Sequence, residues 1–410
     1  AQAGLIVLAQ DPLGQGERFS YYDPQKRGTS VNWGTCEHEY AGGQCLPLGD
    51  TIGRYFLHDA MRGVDYLCGR PEVDSHRIGV TGNSGGGTQT SMMMLADPRI
   101  AAAAPCTFIM NRQTYMWTGG AQDAEQIWPG FTAAGFDHED ILLAMCPKPV
   151  RVLAVDSDFF PIEGTRRTVE RCKRIWKLCG QSPHLDLVVD QSTHEYTTFL
   201  ARAAAEFFAR HLLEKKIGKQ TLPVALFKPS RLWCTRSGQV RGEIEGARAV
   251  FEANQERLLQ ARTQRKKCSP KEARAWLRRR VFSQRTPCEM NPRFYLKESC
   301  GELSAEFALW WSQKGLMNHA VLFREHARKA RRLPVTLAVW DGGTTTLRSH
   351  AAWIRSQCRL GRAVMLLEVS GAGSLLPNSL HLHPPQGPFG VIHKCTDDLL
   401  WLDDDLASLR

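Results

Sequence analysis

Residues 79–90 read "GVTGNSGGGTQT", with Gly82, Gly85, Gly86 and Gly87 crowded around Ser84. The preceding run, "HRIGVTGN" (76–83), is apolar and of strand length. The following run, "TQTSMMMLA" (88–96), continues as a helix. A flexible linker would not sit between two ordered elements, so the glycines are read as a sharp strand-to-helix turn. Such a turn holds its serine in a strained backbone conformation and needs flanking residues without Cβ atoms. On this reading Gly82 and Gly86 give clearance, and the Ser84 hydroxyl stands above the sheet edge. The Gly85 amide, at a helix N-terminus, then points toward a developing oxyanion. Gly87 receives no role.

The neighbouring segments extend the pattern. "GLIVLAQD" (4–11), "RIAAAAPCTF" (99–108), "PVRVLAVD" (149–156) and "HLDLVVD" (184–190) have strand composition. Residues 50–70, 162–180 and 197–216 repeat apolar residues at helical spacing. This alternation predicts a mostly parallel sheet with helices on both faces. Residues 109–146, rich in Trp, Gly, Met and Asp, interrupt it and are expected to lie over the carboxyl ends of the strands.

Those strand ends carry the remaining chemistry. A serine nucleophile needs a base, and the base needs a carboxylate to orient it. "VRVLAVDSDFFP" offers Asp156 or Asp158 just past one strand, and "LDLVVDQSTHEY" offers His194 just past the next. The order Ser84, Asp158, His194 places nucleophile, orienting acid and general base on one sheet edge. Asp158, set off from the strand by a short turn, is preferred over Asp156, which ends the strand directly. Trp117 and Trp128 in the inserted segment are candidate sugar-stacking residues, although aromatics there also suit the core of a small cap.

"IVLAQDPLGQGER", "GVTGNSGGG", "DSDFFPIEGTRRTVER" and "THEYTTFLARAAAEFFARHL" together resemble the acetyl xylan esterase and dienelactone hydrolase branch of the α/β-hydrolases. The resemblance covers about residues 4–214. It implies an α/β-hydrolase fold and deacylation of an acetylated carbohydrate or similar small ester, without metal or organic cofactor. Matched by position, it supports Ser84, Asp158 and His194. It also implies a second oxyanion donor from a loop after an earlier strand, upstream of Ala1, so the N-terminus is read as truncated. Two alternatives stay open: a serine peptidase of the prolyl-oligopeptidase kind, and a non-catalytic scaffold.

The rest of the 410-residue chain changes character. Residues 214–332 hold 27 Lys and Arg against 11 Glu, within a chain of net charge +10. That surplus marks a boundary. The expected organisation is a hydrolase domain over 1–215 lacking its first strands, a basic helical connector over 216–335, and a partial second α/β-hydrolase-like unit over 336–410. The last rests on an internal echo: "RAVMLLEVSGAGS" resembles "GLIVLAQDPLGQGE", with Gly371 and Gly373 matching Gly14 and Gly16. The basic helices come without a stacking platform, so no nucleic-acid partner is expected. No apolar run approaches the ~20 residues of a membrane span. His381, His383, His393 and Cys395 lack paired metal-ligand spacing, so no metal is expected. Thirteen scattered cysteines read mostly as reduced, small buried residues, with a disulfide among Cys36, Cys45 and Cys68 as the alternative. A signal peptide upstream would make the protein secreted or periplasmic. Oligomeric state is not written in the sequence.

Overall fold

The computed structural model describes residues 1–118, 120–217, 227–282, 285, 287–327, 332–376 and 391–404. The chain divides into two units. The first comprises Ala1–Arg265 with Leu400–Asp403, and the second Lys266–Leu399 with Asp404–Arg410.

In the first unit, helices α1 (Thr35–Cys45) and α2 (Gly53–Cys68) precede strand β1 (Ile78–Asn83), which turns into α3 (Gly85–Ala96). Strand β2 (Ile100–Cys106), short helices α4 (Arg112–Thr118) and α5 (His138–Leu143), and β3 (Val150–Val155) follow. The unit continues through α6 (Ile162–Leu178), β4 (Leu185–Asp190), α7 (Thr198–Leu212) and α8 (Val250–Gln264). The four strands pair in parallel in the order β1-β2-β3-β4. This is the α/β-hydrolase architecture expected from the alternating pattern.

Strand β2 shows why the sheet is covered on both sides. Ile100 and Ala103 join one apolar cluster with Met93, Val152 and the fully buried Trp176. Ala102, Ala104 and Cys106 face the other way, against Leu200, Ala204 and Phe207 of α7. Small side chains in the central strand let helices approach closely, and continuous burial explains its unbroken apolar sequence. All strands point their carboxyl ends to one edge, where the loops carrying Ser84, Asp158 and His194 begin.

Three expectations need correction. Residues 4–11 form no strand and have no ladder partner among the described residues. A strand needs a neighbour that accepts from its amides and donates to its carbonyls. Without one, Ile6, Val7 and Leu8 remain exposed.

Second, much of the expected connector packs onto the first unit. The Glu17 carboxylate accepts the amides of Cys234 and Thr235, Tyr55 donates to Asn254, and Val250 joins the core around Ile52 and Phe56.

Third, the connector is not helical throughout. The second unit opens with α9 (Pro270–Phe282), then forms three antiparallel strands: β5 (Arg293–Cys300), β6 (Leu303–Gln313) and β7 (Leu316–Glu325). Gly301 and Gly315 take positive φ in their tight turns, as such hairpins require. A βαβ unit follows: β8 (Val335–Ala338), α10 (Leu347–Arg359) and β9 (Ala363–Glu368), with β8 and β9 parallel. The sheet order is β8-β9-β7-β6-β5, and α11 (Val391–Trp401) ends the described elements.

All thirteen cysteines are free. Among the described residues no helix is long and apolar enough to cross a membrane.

Candidate active site

Ser84 sits between β1 and α3 with φ +57° and ψ −115°, a conformation an L-residue adopts only when its surroundings enforce it. The enforcement is visible. The Ser84 amide donates to the Cys106 carbonyl at 3.1 Å and to Thr107 Oγ1 at 3.0 Å. Thr107 Oγ1 in turn donates to Asn83 Oδ1 at 2.8 Å. At the other side, the Thr88 amide closes the first helical turn on the Ser84 carbonyl at 2.8 Å. The ends of β1 and β2 therefore clamp the residue before and after its strained bond.

The glycines divide differently from the sequence expectation. A Cβ on Gly82 would lie 2.6–2.7 Å from the Gly86 backbone, so that clearance is needed. A Cβ on Gly86 would meet nothing within 4 Å, so Gly86 provides no clearance of its own. Gly87, which had no assigned role, is the tight one: its Cβ would stand 2.3 Å from the Cys106 carbonyl oxygen. A Cβ on Gly85 would come within 2.9 Å of Glu125 Oε1. The Gly85 amide lies in the first turn of α3, where unpaired helical N–H groups favour an anion.

His194 and Asp158 come together. His194 Nδ1 lies 2.9 Å from Asp158 Oδ1 and 3.0 Å from Oδ2. The Asp158 side chain is only 2 % exposed and also accepts the Phe160 amide. The Phe159 ring stands 4.2 Å from the imidazole and shields it. His194 Nε2, the atom that faces away from the carboxylate, is buried without a hydrogen-bond partner. Among the described residues no hydrogen bond joins it to Ser84, as is common before substrate aligns such a pair. Asp156 instead accepts from the neighbouring Ser157 hydroxyl.

The loop that carries His194 is tied down by residues the sequence did not single out. Thr197 caps α7 by accepting the Leu200 amide and donates its hydroxyl to Asp190 Oδ2 at 2.6 Å. Tyr196 OH meets Thr81 Oγ1 at 2.8 Å, three residues before Ser84, and burial pushes its phenol up to about 12. Burial also raises the neighbouring Cys106 thiol to about 12, with the Asp158 charge adding to the effect. That thiol is therefore no competing nucleophile at neutral pH.

Trp117 is 81 % exposed on α4. Trp128 packs against Phe131 at 5.3 Å and gives its indole N–H to the Glu125 carbonyl, so its ring serves the core of the inserted segment.

A second cluster lies beneath the helix start. His38, Asp123 and Glu125 are all buried, and their donor atoms fall within 4.8 Å of one another. By residue type this set can bind a divalent metal. Its hydrogen bonding argues otherwise. His38 Nδ1 meets Asp123 Oδ2 at 2.8 Å, and Nε2 meets the Leu13 carbonyl at 2.7 Å. With acceptors on both nitrogens the ring carries two protons and offers no lone pair. The two carboxylates hold its pKa up, at about 11, against the opposing cost of burial. Burial and the adjacent Glu125 push Asp123 well up, while Glu125 moves down despite burial, through its bonds to Asp123 and His38. Among the other metal candidates, His381 and His383 lie outside the described residues, and His393 Nε2 is 3.4 Å from Asp397.

Residues 50–134, which include Ser84, match the model of the prolyl oligopeptidase family, part of the α/β-hydrolase superfamily. Similar solved structures are esterases. A carbohydrate esterase family 15 glucuronoyl esterase from Caldicellulosiruptor kristjansonii is 16 % identical, with 44 % of this chain and 56 % of that one covered and a TM-score of 0.35. Recombinant glucuronoyl esterase from Sporotrichum thermophile is 16 % identical, with coverages of 42 % and 54 % and a TM-score of 0.36. The methylesterase BT1017 is 19 % identical, with coverages of 50 % and 47 % and a TM-score of 0.35. The chain spans about half the length of these structures. No curated protein matches it significantly.

Proposed function

We propose that the protein is a serine carboxylic-ester hydrolase working through an acyl-enzyme. Ser84 is the nucleophile, His194 its general base and then general acid, and Asp158 orients the imidazole and stabilises its charged form. The Gly85 amide donates to the tetrahedral oxyanion, aided by the dipole of α3. The observation that carries this reading is the pairing of a serine held at φ +57° with a His–Asp dyad whose outward nitrogen is buried and unpartnered. Such a nitrogen has been desolvated without compensation, a cost that a role in proton transfer explains. The substrate proposed is an acetylated carbohydrate, as in an acetyl xylan esterase, with the exposed Trp117 as a sugar-stacking residue. No organic or metal cofactor enters the mechanism.

A peptidase reading is favoured by one observation, the family match over residues 50–134. Hydrolysis of an acetyl ester, an acetylated xylo-oligosaccharide and a Pro-containing peptide amide, each with wild type and Ser84→Ala, separates the readings. Ester turnover that disappears in Ser84→Ala supports the proposal. Turnover confined to the peptide amide favours the peptidase. Ester turnover unchanged in Ser84→Ala, or a wild type inactive on all three, overturns it.

A further inference from the structure

Two of the thirteen free cysteines are in contact. The Cys146 thiol donates to Cys179 Sγ at 3.7 Å, across 33 residues of sequence, so the fold makes the contact and chain proximity does not. Cys146 follows α5 in the turn that leads to β3, with its amide bonded to the Leu143 carbonyl. Cys179 ends α6, with its amide bonded to the Ile175 carbonyl, and Gly180 then turns the chain at φ +72°. Both residues therefore stand at element ends rather than inside a rigid ladder. A disulfide needs its sulfurs about 2.05 Å apart, and side-chain rotation with small shifts of two turns can close the remaining gap.

The surroundings separate this pair from the other thiols. Cys179 is exposed and Cys146 half-buried, so a soluble oxidant meets Cys179 first. Burial, and after it the neighbouring Cys179, pushes the Cys146 thiol up to about 11. The competing partner is Cys172, which also lies on α6 and interacts with Cys146. Its thiol is buried, donates to the Glu139 carbonyl at 3.6 Å, and is pushed to about 12 by burial and then by the Glu139 charge. It is thus both inaccessible and already engaged. Among the described residues no other thiol hydrogen-bonds to a second thiol.

We propose that Cys146 and Cys179 form a site of reversible oxidation, joined as a disulfide by a low-molecular-weight disulfide such as oxidised glutathione. The Cys179 thiolate attacks one sulfur of the oxidant, and the other sulfur leaves as a thiolate. Cys146 then gives up its proton, attacks Cys179 Sγ and expels the second thiolate. One S–S bond forms in the protein and one breaks in the oxidant. The two electrons and two protons lost by the protein thiols reappear in two molecules of reduced oxidant. The new bond closes a loop that holds β3, the turn with Asp158, and α6. It lies at the opposite end of β3 from Asp158, so it ties α6 to the base of the sheet and restricts the unfolded chain.

The test equilibrates the reduced full chain with oxidised glutathione at mildly alkaline pH, blocks the remaining thiols, and digests it without reduction for mass spectrometry. The expected result is a Cys146–Cys179 linked peptide as the predominant internal disulfide, released by dithiothreitol. The thermal midpoint is expected to rise by about 5 °C on oxidation and to return on reduction. Cys179→Ser, a change at an exposed position, is expected to abolish both the linked peptide and the rise. Absence of the linked peptide, Cys146 joined mainly to Cys172, or an equal rise in Cys179→Ser overturns the proposal.

Discussion

Asp158 holds His194 by one ring nitrogen and leaves the other buried and unbonded, while the Asp156 carboxylate, two residues earlier, accepts from the Ser157 hydroxyl instead. The two aspartates are therefore separable. Asp158→Asn keeps the shape but offers an amide where the imidazole needs an acceptor, so kcat on an acetyl ester is expected to drop on the order of 10³-fold or more. Asp156→Asn is expected to stay within a few-fold of wild type. Steady-state kinetics of both variants check this, and an equal loss from Asp156→Asn would reassign the acid.

Strain at Ser84 yields a second expectation. Glycine adopts φ +57° without penalty, whereas alanine keeps the penalty and loses the hydroxyl. Ser84→Gly and Ser84→Ala are both expected to be inactive. Ser84→Gly is expected to be the more stable of the two by about 1 kcal/mol, read from urea unfolding midpoints. Equal midpoints would mean that the turn stores no strain.

How far the sequence carries can be judged at this same turn. The strand-turn-helix order around Ser84 and the Asp158–His194 pair at the ends of successive strands were legible because periodicity and chain order are local properties. Gly86 and Gly87 were not, because their roles depend on where the Cys106 carbonyl falls, 19 residues after Gly87 and on the next strand. Strands β5–β7 were hidden because the basic surplus around them set the reading of the whole segment, although the strands themselves hold three Lys and Arg against three Glu and Lys314-Gly315 marks a hairpin turn. Leu5–Gln10 failed in the opposite sense, having strand chemistry without a ladder partner. The His38–Asp123–Glu125 cluster joins residues 85 apart in the chain, and nothing in their local sequence announces it.

The adjacent glycines predict opposite outcomes. Gly87→Ala forces a methyl against backbone at 2.3 Å, which side-chain rotation cannot relieve, so a loss of about 2–3 kcal/mol or outright misfolding is expected. Gly86→Ala enters open space in a helix and is expected to be neutral or stabilising by up to about 1 kcal/mol. Thermal unfolding of the two variants is a direct comparison. Destabilisation by Gly86→Ala matching that of Gly87→Ala would contradict this division of roles.

The buried cluster beside Gly85 gives the last prediction, because its proton count is fixed by geometry. His38 is an imidazolium between Leu13, Asp123 and Glu125, and its folded pKa of about 11 stands above the ordinary 6.5. A group whose pKa rises on folding stabilises the fold fully below the unfolded value and loses that contribution as pH climbs through the folded one. His38's own contribution is therefore complete below about pH 6.5 and declines toward about pH 11. If Asp123, pushed up by burial and by Glu125, holds the proton at pH 7, asparagine mimics it, so Asp123→Asn is expected to change stability at pH 7 by less than about 1 kcal/mol. Glu125→Gln removes the charge that balances the imidazolium and is expected to cost about 3–5 kcal/mol, the penalty for stranding a buried ion. Because Glu125 Oε1 packs against Gly85, that variant is also expected to lose ester turnover beyond its loss of folded protein. Urea titrations of both variants between pH 6 and 10 decide the matter. Equal costs for Asp123→Asn and Glu125→Gln would show that the proton does not reside on Asp123.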